Sequence, residues 1–306
     1  TKMRYPAILK MVDQLMSKPR EYLRGRTPNP CIWCNDRVKF GALLEKAREL
    51  DAQYVATGHY AQVAYDPQRG RYLLKKAVDG AKDQTYALYG LTQVQLAHVL
   101  FPLGGYTKEE VRAMARERGL PVASKGESQD ICFIPDRDLK GFLERRAPGA
   151  ARPGPIVNRK GERLGTHQGA IRYTVGQRKG LGIAAGEPLY VLEVDAARNR
   201  LVVGTREELY GHALEVEALN WVAVPGLEGP VEAQAKIRYR APEAPVLIEP
   251  LTADRARVRF REPQRAITPG QAIVFYQEDR VLGGGVIARP LPASHETPPV
   301  PATSEV

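Results

Sequence analysis

"NDRVKFGALLEKARELDAQYVATGHY", residues 35–60, changes its hydrophobic period partway along. Phe40, Leu43, Leu44, Ala47 and Leu50 recur at three- and four-residue steps, so residues 36–50 are predicted as an amphipathic helix capped by Asn35. Tyr54 to Thr57 then form a short apolar run that reads as a buried strand, ending at Gly58-His59-Tyr60. A helix followed at once by a buried strand is the unit of a parallel α/β sheet.

The pattern continues downstream. Thr92…Gln95 and Thr107…Glu110 both have the spacing of a capping box and each should open a helix. The second helix runs to a stop at Gly119, and 120–123 read as another strand. Residues 136–146 form a last helix, with Leu139, Phe142 and Leu143 on one face. "RAPGAARPGP", residues 146–155, breaks the rhythm as a linker. A small zone rich in Gly and basic residues follows, and from about residue 213 the period becomes two. In "VEAQAKIRYR" Val231, Ala233, Ala235, Ile237 and Tyr239 alternate with polar residues, and in "RARVRF" Ala256, Val258 and Phe260 alternate with Arg255, Arg257 and Arg259. Short alternating strands between Pro/Gly turns predict a small antiparallel barrel. The predicted class is therefore α/β plus β. Its parts are a nucleotide-binding α/β domain over 1–145, a linker and small central domain over 146–210, and a β-barrel over 211–290. A disordered tail is expected over 291–306.

The 306 residues carry a net charge of +10, which suits either a well-solvated surface or a polyanionic partner. Lys236, Arg238 and Arg240, and Arg255, Arg257 and Arg259, are each expected on one strand face; Arg172, Arg178 and Lys179 lie in the Gly-rich zone. If they neutralise phosphates, affinity falls with salt at a log–log slope of about −0.7 to −0.9 per phosphate. No apolar run approaches membrane-spanning length, and residues 1–10 lack a signal-peptide layout. Three cysteines cannot close a disulfide framework, so a reducing, cytoplasmic setting is expected.

Those cysteines are Cys31, Cys34 and Cys132. With His59 they have the residue types of a Cys3His zinc site, while a buried, inert thiol accounts equally for Cys132. Cys34, placed just before a helix capped by Asn35, would be favoured as a thiolate by the helix dipole and by nearby Arg37 and Lys39. His59, at the carboxyl end of a predicted strand, stands where open α/β sheets hold ligands.

"RGRTPNPCIWCNDRVKFGALL" (24–44), "ATGHYA" (56–61), "KDQTYALYGL" (82–91), "LFPLGGYTKEEVR" (100–112), "SQDICFIP" (128–135), "HQGAIRYTVGQRKGLGI" (167–183), "TPGQAIVFY" (268–276) and "LGGGVI" (282–287) together resemble the bacterial tRNA-uridine 2-sulfurtransferases, in collinear order from Glu21 to Ala288. The resemblance implies ATP-dependent 2-thiolation of a wobble uridine. The base would be adenylated with ATP, with Mg2+, and sulfur transferred from a cysteine persulfide. It implies Cys34 as nucleophile, Cys132 as the persulfide-bearing cysteine, and a transient disulfide between them. Asn29, Pro30 and Cys31 would line the target base, Gly58 would contact the nucleotide, and His59, Lys82, Asp83, Gln84, Tyr239, Arg240 and Gln271 the tRNA. Members of the family often carry Asp at the position of Cys31, so that cysteine is not expected to be catalytic, and no stably bound metal is expected. A persulfide-carrying donor protein is the implied second partner. The family's Ser-Gly-Gly-x-Asp-Ser phosphate loop does not occur in these residues, so the chain reads as truncated before its first strands. A non-catalytic RNA-binding remnant is the alternative that this allows.

Overall fold

The computed structural model describes residues 20–124 and 138–292. In the N-terminal part, β1 (Val55–Ala56) and β4 (Val99–Leu100) pair in parallel, and the hairpin β2 (Gln62–Asp66) and β3 (Arg71–Lys75) lies between them in sequence. The central part is a four-stranded sheet of β5 (Gly154–Val157), β6 (Arg163–His167), β7 (Tyr190–Asp195) and β8 (Arg200–Gly204), in the order β6-β5-β8-β7. The C-terminal part holds β9 (Tyr210–Trp221), β10 (Val231–Lys236), β11 (Ala244–Thr252), β12 (Arg255–Arg265), β13 (Ala272–Gln277) and β14 (Arg280–Leu291). These six run β13-β10-β11-β12-β9-β14, and a β13–β14 pairing closes them into an antiparallel barrel. The predicted α/β-plus-β class is what the chain adopts. Among the described residues no helix is long and apolar enough to cross a membrane.

Local chemistry accounts for most of the predicted elements. Thr92 and Thr107 each accept the N–H of the residue three ahead, and Gln95 and Glu110 reach back to the cap N–H. Both capping boxes therefore form, opening the helices Gln93–Leu96 and Lys108–Glu117. Gly119, at φ +62, ends the second. Alternation in β10 and β12 puts Ala233, Ala235, Ala256, Val258 and Phe260 into the barrel interior, with Ile273 and Phe275 from β13.

Several details differ from expectation. Residues 121–124 form a 3-10 turn, not a strand; Pro121 supplies no N–H to a ladder. The β2–β3 hairpin was not anticipated; it extends the barrel sheet through one pairing, Arg280 with Lys75. β10 ends at Lys236, so Lys236, Arg238 and Arg240 share no strand face. Arg238 instead donates to the carbonyls of Arg265 and Ala266, and Lys236 pairs with Glu243 at 3.6 Å. The β12 ladder is answered by neighbouring strands. Arg259 meets Glu249 at 2.9 Å, Arg255 meets Glu215 at 3.3 Å, and Arg257 is in register with both glutamates. Both pairs are part-buried, so these arginines are neutralised within the barrel wall. The barrel continues through Leu291, and 293–306, most of the expected tail, lie outside the described residues.

One barrel strand does double duty. Ile273 and Phe275 of β13 face the barrel interior, whereas Ala272, Val274 and Tyr276 join a second core with Ile32, Phe40, Tyr86, Leu88 and Leu91. Beside it, a side chain on Gly284 of β14 would come within 2.6 Å of the Ile273 carbonyl and 2.7 Å of the Tyr89 ring. Gly284→Ala should therefore cost about 1–3 kcal/mol in urea unfolding, the usual range for overpacking; an unchanged midpoint would show that the two cores are not in close contact there.

Candidate functional site

The helix that carries two cysteines starts earlier than its periodicity suggests. Asn29 is the cap: its Oδ1 accepts the Cys31 N–H at 3.0 Å, and Pro30 takes the first helical position, where no N–H is needed. The helix runs Pro30–Trp33, widens to π-helical Cys34–Ala42, and continues as Leu43–Arg48. Asn35 is not a cap. It is buried, and its Nδ2 donates to the Ala87 carbonyl at 2.8 Å. This corrects the expectation for Cys34, whose N–H is directed at the Cys31 and Pro30 carbonyls. The helix start lies at Cys31, which is exposed and whose N–H the Asn29 cap already takes, while Cys34 is half-buried. The wide π turn is held from outside: Gln95 Nε2 donates to the carbonyls of Asp36 at 3.2 Å and Phe40 at 2.8 Å.

Behind the cysteines lies a polar chain that the sequence did not announce. Lys39 Nζ donates to Asn35 Oδ1 at 3.0 Å and approaches His59 Nε2 at 3.5 Å, and His59 Nδ1 lies 2.7 Å from Thr57 Oγ1. An ammonium at Nε2 makes that nitrogen the acceptor, so the ring proton sits on Nδ1 and is donated to Thr57. Burial, and then the charge of Lys39, lower the His59 pKa from 6.5 to about 4. His59 is thus a neutral imidazole with both nitrogens engaged, an arrangement that leaves none for zinc. Among the described residues no three His, Cys, Asp or Glu converge on a point that could hold a metal. The i, i+4 spacing of Asn35 and Lys39 was the one available signal for this chain.

Asp36 was also missed. Its Oδ1 is buried without a partner, and a Cβ on Gly90 would stand 2.5 Å from Oδ2. Burial pushes its pKa from 3.8 to about 7, opposed by Arg37.

In front of the cysteine helix, distant segments meet. The Tyr239 hydroxyl is held above its ordinary pKa by burial and the charge of Asp83, with Arg240 and Lys82 pulling the other way and Cys31 acting in the same sense as Asp83. The barrel turn 237–240, the 82–84 turn and the helix start therefore share one neighbourhood. Asp83 accepts from the Ala77 N–H at 3.0 Å and the Thr85 hydroxyl at 2.5 Å. Gln84 and Tyr60 exchange hydrogen bonds at 2.9 Å. Asp83 and Gln84 thus shape the turn, while Tyr239, 43% exposed, offers a ring face at its edge. Gln271 lies on the barrel side and donates its amide to the Thr27 carbonyl at 2.6 Å. Gly58 is exposed at the carboxyl end of β1; a Cβ there would meet only Leu103 Cδ1, at 3.5 Å. Among the described residues nothing requires glycine at 58. Cys132 lies outside the described residues.

The titratable groups give two measurable consequences. Lys39→Met should raise the His59 pKa above 4 but leave it below 6.5, because burial is the larger cause; an NMR titration reads this, and an unchanged value would deny the contact. The Asp36 carboxyl is raised on folding, so the stability it permits is full below pH 3.8 and declines as pH rises toward 7. Asp36→Asn should flatten that decline in denaturant midpoints between about pH 4 and 8; an unaltered slope would mean that the carboxyl is ionised in the fold.

Family models match nearly the whole chain in three consecutive pieces. The tRNA methyl transferase HUP domain matches residues 10–136, the tRNA methyl transferase PRC-barrel domain 140–205, and the aminomethyltransferase beta-barrel domain 211–287. The chain is 54% identical over 269 residues to the tRNA-specific 2-thiouridylase MnmA 1 of Caldanaerobacter subterraneus, covering 88% of this chain and 74% of that one. It is 56% identical over 270 residues to the tRNA-specific 2-thiouridylase MnmA of Symbiobacterium thermophilum, covering 88% and 69%. With the Acetivibrio thermocellus protein of the same name it shares 54% over 267 residues, covering 87% and 74%.

Proposed function

We propose a role from one premise: the chain belongs to the tRNA-specific 2-thiouridylase family. It is a tRNA sulfurtransferase, tRNA is its substrate, and the reading of a non-catalytic RNA-binding remnant is not favoured.

The finer steps are our reading. ATP supplies the adenylyl group that makes the uridine 2-oxygen a leaving group, with Mg2+ as its counter-ion. Gly58 lets the nucleotide approach the carboxyl edge of β1. The outer sulfur of a Cys132 persulfide attacks C2 of the base, and the adenylated oxygen departs. The Cys34 thiolate then attacks the inner sulfur of Cys132. The S–S bond breaks, its electron pair stays with the sulfur on the base, and a Cys34–Cys132 disulfide forms. A dithiol reductant restores both thiols, and a persulfide-carrying protein reloads Cys132. Asn29, Pro30 and Cys31 line the base pocket. Tyr239 stacks on a base and Arg240 and Lys82 take phosphates, with His59 at the rim and Asp83 and Gln84 shaping the turn beneath. We take the domains as 1–145, 146–210 and 211–290, with a tail over 291–306. The observation that most supports this reading is that Tyr239, packed edge-on against Tyr86 with ring centroids 6.1 Å apart, lies within electrostatic reach of Asp83, Arg240, Lys82 and Cys31, from three separate stretches of sequence.

In a thiolation assay with transcribed tRNA, ATP and a persulfide donor, Cys34→Ser should reduce product to background while the tRNA Kd stays within about two-fold. Tyr239→Ala should do the reverse, raising Kd by roughly 5- to 100-fold, as expected for a lost stacking contact. Full activity in Cys34→Ser would overturn the assignment.

A further inference from the structure

Thr27 lies seven residues before Cys34, and both its backbone polar groups are taken by one turn of the barrel. Its N–H donates to the Pro269 carbonyl at 2.8 Å, and its carbonyl accepts from Gln271 Nε2 at 2.6 Å. The turn is itself anchored. Gly270 N–H donates to the Ile287 carbonyl and Ile287 N–H to the Gln271 carbonyl, each at 2.8 Å, and Thr268 Oγ1 donates to the Ala266 carbonyl at 2.9 Å. Gly270, at φ +88, packs so closely that a Cβ would stand 2.8 Å from Thr27 N. On either side of Thr27's main chain the grip is repeated. Arg26 pairs with Glu217 of β9 at 2.5 Å and with Glu21 at 2.7 Å, and the Thr27 hydroxyl meets that of Thr174, from the Gly-rich loop, at 3.1 Å.

The chain is stiff beyond Thr27. Residues 28–30 are Pro-Asn-Pro; each proline fixes its own φ and restricts the residue before it. Asn29 then caps the helix, so little slack separates the barrel turn from the first cysteine. We propose that Gln271 is a positioning residue for sulfur transfer: through Thr27 and the Pro-Asn-Pro segment it sets where the cysteine helix begins. This rests on the proposed role of Cys34 and changes what Gln271 does, from touching tRNA to holding the chain that carries the nucleophile.

The test is Gln271→Met, which keeps the length and loses the donor, with Gln271→Asn, whose amide is too short to reach, as the second variant. Both are made with Trp221→Phe, so that Trp33, which lines the same surface pocket as Pro28 and Gly270, is the one tryptophan. The single-turnover thiolation rate at saturating tRNA should fall about ten-fold or more, as small misplacements of reacting groups do. The tRNA Kd should stay within about two-fold, and Trp33 emission should shift to the red. A raised Kd with an undiminished rate at saturation would make Gln271 a tRNA contact and overturn the proposal. So would an unchanged rate. Trp33 reads the link even if Cys34 proves uninvolved: unshifted emission in both folded variants overturns the positioning role by itself, whereas a red shift with Cys34→Ser fully active would leave the link standing and sink only the assignment of the nucleophile.

Discussion

Strand β13 is buried on both faces, and the placement of the cysteine helix depends on that. Its Ile273 and Phe275 complete the barrel, while Ala272, Val274 and Tyr276 complete the core under Ile32 and Phe40. Burying a Val, Ile or Phe side chain contributes about 1.5–3 kcal/mol, so neither core keeps its stability if the strand is withdrawn. Tyr276 is the most committed of the five. Its hydroxyl lies 3.3 Å from the Thr85 hydroxyl, and its ring has Lys76 at 4.8 Å and Lys236 at 5.4 Å from the centroid. Both lysines are compensated by Glu243. One strand thus joins the 82–91 segment, the cysteine helix and the barrel turn that carries Tyr239.

This arrangement suits a reaction on a large polyanion. The barrel and the 82–84 turn offer exposed aromatic and basic groups, and the same packing that presents them fixes the helix start bearing Cys31. The cations within the barrel wall contribute less than the net charge suggests, because Glu215, Glu232 and Glu249 answer the arginines of β12 and β14. Behind the helix the chemistry differs. His59 is kept neutral beside an ammonium, which fits a role in holding Lys39 and Asn35 in place more than one in carrying charge.

Elements whose cause is local could be read from the sequence, and elements whose cause is distant could not. The capping boxes at Thr92 and Thr107 and the alternation in β10 and β12 arise from side chains within a few residues of one another. The helix start was misjudged because Asn35 directly precedes the apolar periodicity; its amide is drawn instead to Ala87, 52 residues away. Asn29 with Pro30 was the better local signal. The β2–β3 hairpin gains its place from β14, and the arginine ladder of β12 is answered in part by Glu215 of β9, 40 residues away, neither of which proximity in sequence reveals. The candidate site residues were named from motifs, whereas the settings of Asp36 and Lys39 and the grip of Gln271 on Thr27 needed the fold.

If β13 binds the two cores into one cooperative unit, the chain's two tryptophans can show it: Trp33 lies in the cysteine helix and Trp221 stacks on Phe275 at the barrel. Urea unfolding of the two single-tryptophan variants, each followed by fluorescence and by far-UV circular dichroism, is the direct measurement. Within each variant the two probes should give one midpoint, and introducing Val274→Ala into both should lower the Trp33 and Trp221 midpoints together. A Trp33 transition that precedes the loss of β structure, with Trp221 unmoved by the substitution, would show a helix that folds apart from the barrel and would contradict the account.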